Sequence, residues 1–236
     1  MKKSWVLPLI ILSALVCFSL SSSAQAEEDR DLDQILAKLK DRFGAAKTLQ
    51  ADYVRNFLPK ASSQLPPQAL QAEGQLSFRT PTKLRINQKK PRLEQLICDG
   101  EKVWWYIADE KVAYVYLLKD YYLQIKPILD FFSGLGKLDQ YYELRKDPAT
   151  PADAPYFGLI LQPKVPHSDL SQIAIKISKS TFLPLEFSFY NLLGDGTRFR
   201  LYRIQGGVKL ADSQFEFTPP PGTEVVSQGL QSPAKK

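Results

Sequence analysis

A chain of 236 residues with 31 Lys and Arg against 25 Asp and Glu carries a net charge of +6, spread without a basic run. That mild charge argues for solubility and excludes nucleic acid as a partner, while leaving open an electropositive face for anionic lipid headgroups or an acidic protein. Two cysteines, Cys17 and Cys98, and one histidine, His167, are too few for a zinc site at Cys/His spacing or a hydrolytic triad.

The start reads Met1-Lys2-Lys3, an apolar run over 5–20, then small residues at Ala24 and Ala26. This predicts a secretory signal peptide over 1–26, cleaved after Ala26, its apolar core short for a bilayer span. Val16 ahead of Cys17 is larger than a lipidation site normally accepts, so a soluble product is expected. One domain is expected over 27–227, with a frayed tail over 228–236. Loss of Lys2 and Lys3 leaves 29 basic against 25 acidic residues, a net +4. Cys98 then stands alone, unable to form an internal disulfide, and is expected to be a buried small hydrophobe.

Asp31 with Gln34 resembles a helix capping box, and Leu32, Ile35, Leu36, Leu39 and Phe43 repeat at helical spacing up to Gly44. The opposite face is charged. This predicts an amphipathic helix of about three turns that either packs on a sheet or covers a cavity. From Thr48 the period changes to two. Residues 48–58 and 70–79 are predicted strands around a Ser/Gln/Pro loop, with Leu76 and Phe78 alternating with Gln75, Ser77 and Arg79. After Thr80-Pro81, Leu84 and Ile86 alternate with Lys83, Arg85 and Asn87.

Asp99-Gly100 lies between the apolar runs 93–98 and 103–107, a strong hairpin signal. A two-residue turn pairs Cys98 with Glu101, Ile97 with Lys102, Leu96 with Val103 and Gln95 with Trp104. One face then carries Leu96, Val103, Trp105 and Ile107, and the other Leu93, Ile97, Trp104 and Tyr106. Both faces are apolar, so this part of the sheet is either covered twice or lines something apolar. The run 112–118 adds Tyr114 and Tyr116. Pro127 is expected to open a short helix holding Ile128, Leu129, Phe131 and Phe132, stopped by Gly134 and Gly136.

Strands resume at 141–145. Alternation then recurs through Phe157, Leu159 and Leu161; Ile173, Ile175 and Ile177; Leu185, Phe187 and Phe189; and Phe199 with Leu201 between Arg198, Arg200 and Arg203. A last extended excursion is expected at Phe215-Glu216-Phe217. About ten to eleven strands in meander order, with two helical segments and no βαβ alternation, predict a mainly β (α+β) fold built on one curling antiparallel sheet. His167, beside a proline, reads as a solvated turn residue. Asp99, Asp109 and Glu110 cluster near the hairpin but are explained by turn and surface chemistry. Gly134-Leu135-Gly136 and Gly194-Asp195-Gly196 lack the strand-to-helix setting of a phosphate loop. Binding in an apolar interior is therefore favoured over catalysis, with no cofactor and no metal.

Four motifs in order carry a resemblance: the signal peptide and amphipathic helix; Gly74-x-Leu76-x-Phe78-x-x-Pro81-x-x-x-Arg85; Asp99-Gly100-x-x-Val103-Trp104-x-Tyr106; and Phe215-x-Phe217-Thr218-Pro219-Pro220-x-Gly222-x-x-Val225. Together they are similar to the LolA-type periplasmic lipoprotein carrier family. The resemblance implies an unclosed β-barrel with helical lids over an apolar cavity. It implies a monomeric periplasmic carrier that takes acylated lipoproteins from an inner-membrane ABC-type exporter to an outer-membrane acceptor, without enzymatic chemistry. A lipid or glycolipid carrier, or a lipoprotein-sensing module, on the same fold stays open as an alternative. Three chains of roughly sixteen carbons hold a lipoprotein to a bilayer by on the order of 30–40 kcal/mol, so crossing water needs a carrier.

On this reading the acyl-binding candidates are Leu76, Phe78, Leu84 and Ile86 from the first strands, and Val103, Trp104, Trp105, Tyr106, Tyr114 and Tyr116 from the hairpin region. Ile173, Ile175, Leu185, Phe187, Phe199 and Leu201 complete them from the later strands. The lid candidates are Leu32, Ile35, Leu36, Leu39 and Phe43, with Ile128, Leu129 and Phe132. Where the family commonly places a lid-latching arginine before the proline, this chain has Thr80, with Arg79 one residue earlier; both are latch candidates.

Overall fold

The alternation that starts at Thr48 is satisfied by a single sheet of 12 strands. The computed structural model describes residues 31–42, 47–61, 66, 70–134, 138–165 and 170–228. Helix α1 (31–42) precedes β1 (Thr48–Leu58), β2 (Gln71–Arg79), β3 (Lys83–Lys90), β4 (Glu94–Cys98), β5 (Lys102–Ile107) and β6 (Val112–Leu117). Helices α2 (Leu118–Gly134) and α3 (Leu138–Tyr141) lead to β7 (Tyr142–Lys146), β8 (Tyr156–Pro163), β9 (Gln172–Ser178), β10 (Pro184–Tyr190) and β11 (Gly196–Gly206). A 3-10 turn (Asp212–Phe215) and β12 (Glu224–Gln228) complete the chain. The predicted signal peptide, Phe43, the His167 loop and residues 229–236 lie outside the described residues, and so does the side chain of Phe131.

The strand order is β12-β6-β5-β4-β3-β2-β1-β11-β10-β9-β8-β7. Its terminal members, β12 and β7, do not pair with each other, so the sheet is unclosed. It is also strongly curved. Trp105 on β5 and Phe199 on β11 are five strands apart, about 24 Å across a flat sheet, yet they line one cavity. One face of every strand from β1 to β11 except β6 supplies the core, joined by Ile35 and Leu39 of α1 and Ile125, Leu129 and Phe132 of α2. The two helices therefore sit on the concave side.

Four expectations about the fold are corrected. The meander is broken twice, because β1 pairs with β11, and β12 returns to pair with β6 in parallel. The excursion at Phe215 is a 3-10 turn, and the last strand lies further on, at β12. The β4–β5 register is Cys98↔Val103, Ile97↔Trp104 and Leu96↔Trp105, two residues from the expected pairing. Asp99 explains this: its Oδ1 accepts the amides of Glu101 (2.8 Å) and Lys102 (2.7 Å), building a wider turn through Gly100 at φ 105°. A shift of two preserves which side chains share a face. Lastly, α2 runs 17 residues with Pro127 inside it. The apolar series Leu118, Tyr121, Ile125, Ile128, Leu129 and Phe132 packs on the core, and that burial outweighs the one intrahelical hydrogen bond a proline removes.

Gly74 marks a close approach. A Cβ there would lie 2.1 Å from the Asn87 carbonyl oxygen, next to a register shift between β2 and β3.

Candidate functional site

Between the concave face and α2 lies a cavity of about 260 Å³. The sheet contributes Tyr53, Ile86, Leu96, Trp105 and Phe199 to its wall, and α2 closes it with Tyr121, Ile125 and Ile128. Strand alternation orients these side chains inward, and the helical spacing of 121, 125 and 128 puts all three on one side of α2.

One end of the cavity is polar. Arg55, Gln88 and Glu94 line it; the Arg55 guanidinium donates to Gln88 Oε1 at 3.4 Å, and Trp105 Nε1 donates to Glu94 Oε2 at 3.0 Å. Glu94 also pairs with Arg92, which reaches Glu110 at 2.8 Å. Burial pushes the Tyr53 hydroxyl up to about 12, with Arg55 opposing and Glu94 adding to the shift. Tyr53 therefore stays protonated at neutral pH. The rest of the concave face is tightly packed: Phe132 of α2 lies 5.5 Å from Phe78 and 5.5 Å from Phe187, and Phe187 stacks on Phe199 at 5.0 Å. Cys98 is fully buried there, its thiol pushed up to about 11 by burial, with an opposing backbone hydrogen bond from Gly100 and a further rise from Asp99.

This largely apolar cavity between α2 and an open curved sheet suits an apolar guest. The sequence profile described as "Outer membrane lipoprotein carrier protein LolA" matches residues 45–218, well over half of the chain. The chain belongs to the LolA family. Relatives include the outer-membrane lipoprotein carrier protein of Pasteurella multocida, 28% identical over 222 residues and covering 93% of this chain and 97% of that one. The protein of the same description from Azotobacter vinelandii is 27% identical over 219 residues, covering 93% and 98%. An uncharacterized conserved protein from Thermus thermophilus superposes with a TM-score of 0.51 at 12% identity, covering 84% of this chain and 99% of that structure, a likeness of fold.

Within this LolA-family chain the predicted residues separate into three groups. Ile86, Trp105, Phe199 and Ile128 line the cavity itself. Leu76, Phe78, Leu84, Val103, Ile173, Ile175, Phe187 and Leu201 lie in the packed core of the same face, with Ile35, Leu39, Leu129 and Phe132 against them and Leu32 and Leu36 at its margin. Tyr114 and Tyr116 are alongside, 5.5 Å from Trp105 and 4.3 Å from Tyr121 respectively.

The third group lies elsewhere. Trp104 and Tyr106 alternate with Trp105 and so occupy the convex face, where both pack on Phe217, at 5.5 and 5.4 Å. Leu185 is 37% exposed, because a register shift between Pro184 and Glu186 takes it out of the alternation that keeps Phe187 inside. Arg79 is also convex: it donates to the Leu210 carbonyl at 3.1 Å, pairs with Asp212 and lies over the Phe215 ring. It holds the C-terminal segment, not α2. Thr80 donates its amide to Lys47 O at 2.9 Å, which ties the β2–β3 turn to the start of β1. The link between that turn and α2 comes instead from Ser133, whose hydroxyl donates to Pro81 O at 2.7 Å.

Sequence reasoning missed Tyr53, Arg55, Gln88, Glu94, Leu96, Tyr121 and Ile125 as cavity residues. Tyr53 was within reach, since it continues the period of Leu49 and Ala51 on β1. Tyr121 and Ile125 were hidden by placing the helix start at Pro127.

Proposed function

We propose that the protein is a periplasmic carrier that shelters the acyl chains of lipoproteins beneath α2, taking them from an inner-membrane ABC-type exporter to an outer-membrane acceptor by binding alone, with no covalent chemistry. The observation that carries this is the apolar cavity between the concave face and α2. Membership of the LolA family and the names of the relatives support it, as does the leader-like composition of residues 1–26.

About 260 Å³ is below the range typical of sites that enclose even a drug-sized ligand. A three-chain cargo therefore requires α2 to move outward, and the Ser133–Pro81 hydrogen bond is one contact such a movement breaks. Loading a synthetic triacylated cysteine peptide, followed by tryptophan fluorescence, tests the reading. Trp105→Asp is expected to weaken binding by about tenfold or more, on the scale of burying a charge in an apolar wall; Trp104→Phe, on the far face, is expected to leave it unchanged. Mass spectrometry of protein isolated from the periplasm should find acylated peptide. A copurified lipid without peptide transfers the reading to a lipid carrier, and no acylated material under mild conditions overturns both.

A further inference from the structure

Tyr53 and Arg55 of β1, Gln88 of β3 and Glu94 of β4 bring polar groups to the wall of the cavity. The registers set Tyr53 opposite Gly74, Gly74 opposite Gln88 and Gln88 opposite Glu94, one row across four strands. Arg55, two residues beyond Tyr53, shares its face. Gly74 carries no side chain, so nothing projects between Tyr53 and Gln88 in the middle of that row.

The hydrogen-bonding groups of this row are unequally engaged. Gln88 Oε1 accepts from Arg55, and its Nε2 donates to the Arg92 carbonyl at 3.2 Å. Glu94 Oε1 accepts from Arg92 and Oε2 from the Trp105 indole at 3.0 Å. The Tyr53 hydroxyl has no hydrogen-bond partner among the described residues, although Tyr53 is only 3% exposed. Folding rarely leaves a buried hydroxyl in that condition. Arg55 makes a single hydrogen bond, 3.4 Å long, from a guanidinium with five N–H groups. The carboxamide and carboxylate oxygens are thus engaged, and the uncommitted groups are donors. Burial, which pushes the Tyr53 hydroxyl up to about 12, keeps it a donor at neutral pH.

A guest that satisfies these donors brings an acceptor, and the charges call for a neutral one. Arg55 and Arg92 face Glu94 and Glu110, and on the surrounding turns and strand ends Lys60, Lys89 and Lys111 are matched by Asp109, Asp195 and Glu224. No net positive charge awaits a carboxylate or phosphate, and Glu94 would repel either. An acyl chain carries a neutral acceptor at its head, the carbonyl of the ester or amide that attaches it.

We propose that Tyr53 and Arg55 form a hydrogen-bonding subsite for the carbonyl of an acyl chain, fixing the head of the chain at the polar end while its hydrocarbon runs over Ile86, Leu96, Trp105 and Phe199. This rests on the carrier reading and deepens it: the protein recognises the acyl linkage and not hydrocarbon alone.

Three probes titrated into the purified wild type and Tyr53→Phe, followed by tryptophan fluorescence, test it: a dipalmitoylglyceryl-cysteine peptide, the same peptide with ether-linked chains, and the ether peptide carrying an N-palmitoyl group. The quantity read is the ratio of wild-type to variant affinity for each probe. Expected is about fivefold for the ester peptide, the scale of one hydrogen bond, and about one for the ether peptide, whose chains have no carbonyl. A fivefold ratio that arises only on N-palmitoylation of the ether peptide assigns the subsite to the amide carbonyl and supports the same chemistry. Arg55→Met is expected to weaken the ester peptide several-fold as well. Urea denaturation of Tyr53→Phe should match wild type, since the hydroxyl holds nothing in the fold. Equal ratios for the ester, amide and ether probes overturn the subsite and leave carriage standing. Failure of wild type to bind any probe overturns both.

Discussion

Over β4–β6 the convex face carries Ile97, Trp104, Tyr106 and Val115, whereas over β9–β11 it carries Lys176, Glu186, Arg198 and Arg200. The first region is covered and the second is bare. Residues 208–217 run over β1, β2 and β3 to reach the first as a strap: Val208 O accepts a hydrogen bond from Thr48 Oγ1 at 2.7 Å, Leu210 O from Arg79, and Gln214 O from Arg85 at 3.1 Å. Phe215 is fully buried beneath it, Phe217 lies on the aromatic pair, and β12 adds the edge strand beyond β6. On the second region Glu186, itself buried, gathers Lys176 (3.1 Å), Arg198 (3.5 Å) and Arg200 (3.0 Å), and these partly exposed cations form the outer surface. The strand backbone is the same in both; the layer above it decides whether the outward positions are apolar or charged.

The contrast between covered and bare faces is most vulnerable at Phe215. Phe215→Ala is expected to cost about 3–5 kcal/mol in urea denaturation and to release the strap, read as a change in Trp104 emission. Trp105, on the other face, should report no corresponding change. Arg79→Ala removes the hydrogen bond to Leu210 O and the cation over Phe215, for an expected loss of about 1.5–3 kcal/mol. If the strap stands on burial alone, that loss will be absent.

On the bare side, Glu186→Gln leaves three cations facing an uncharged amide, an expected cost of about 1 kcal/mol. Burial raises the Glu186 carboxyl, but hydrogen bonds from Arg200 and Lys176 and the nearby charges of Lys176 and Arg198 outweigh it, so its native pKa lies below the ordinary value. Its contribution is thus present above the ordinary carboxylate range and lost as pH falls through the lowered native value. The variant should lack that part of the acid-side slope. The smallest effect is expected for Asp212→Asn. This exposed carboxylate is held below its usual range by hydrogen bonds from Lys83 and Arg79, yet exposed pairs contribute little, so its denaturation midpoint should match wild type within error. A loss as large as that of Arg79→Ala would show that the strap is held by the ion pair and not by the carbonyl and the ring.

Much of this arrangement is legible in the sequence. The bounds of β1, the amphipathic character of α1 and the inward set Leu76, Phe78, Leu84 and Ile86 come from periodicity, because a half-buried strand imposes period two on its own side chains. The apolar character of both faces at Trp104 and Trp105 is equally visible, and it requires each face either to be covered or to line something apolar. Which cover goes where is not visible. The family motif draws Trp104 and Tyr106 toward the cavity, but their partner Phe217 is more than a hundred residues away in sequence, and no local pattern encodes that contact. Arg79 is misassigned for the same reason, its partners being Leu210 and Asp212. The helix start at Pro127 fails differently: a local propensity is overridden by the apolar stripe that α2 buries.

From the sequence alone came the class of fold, the inward face of most strands and an apolar interior, since these depend on which residues lie within a few positions of one another. The tertiary structure decided the strand order that joins β1 to β11 and β12 to β6, the side of the sheet on which each tryptophan is covered, and the row that brings Tyr53, Gln88 and Glu94 to one cavity. Those are properties of packing between remote segments, where the free energy is set by the surface each segment removes from water and not by its own periodicity.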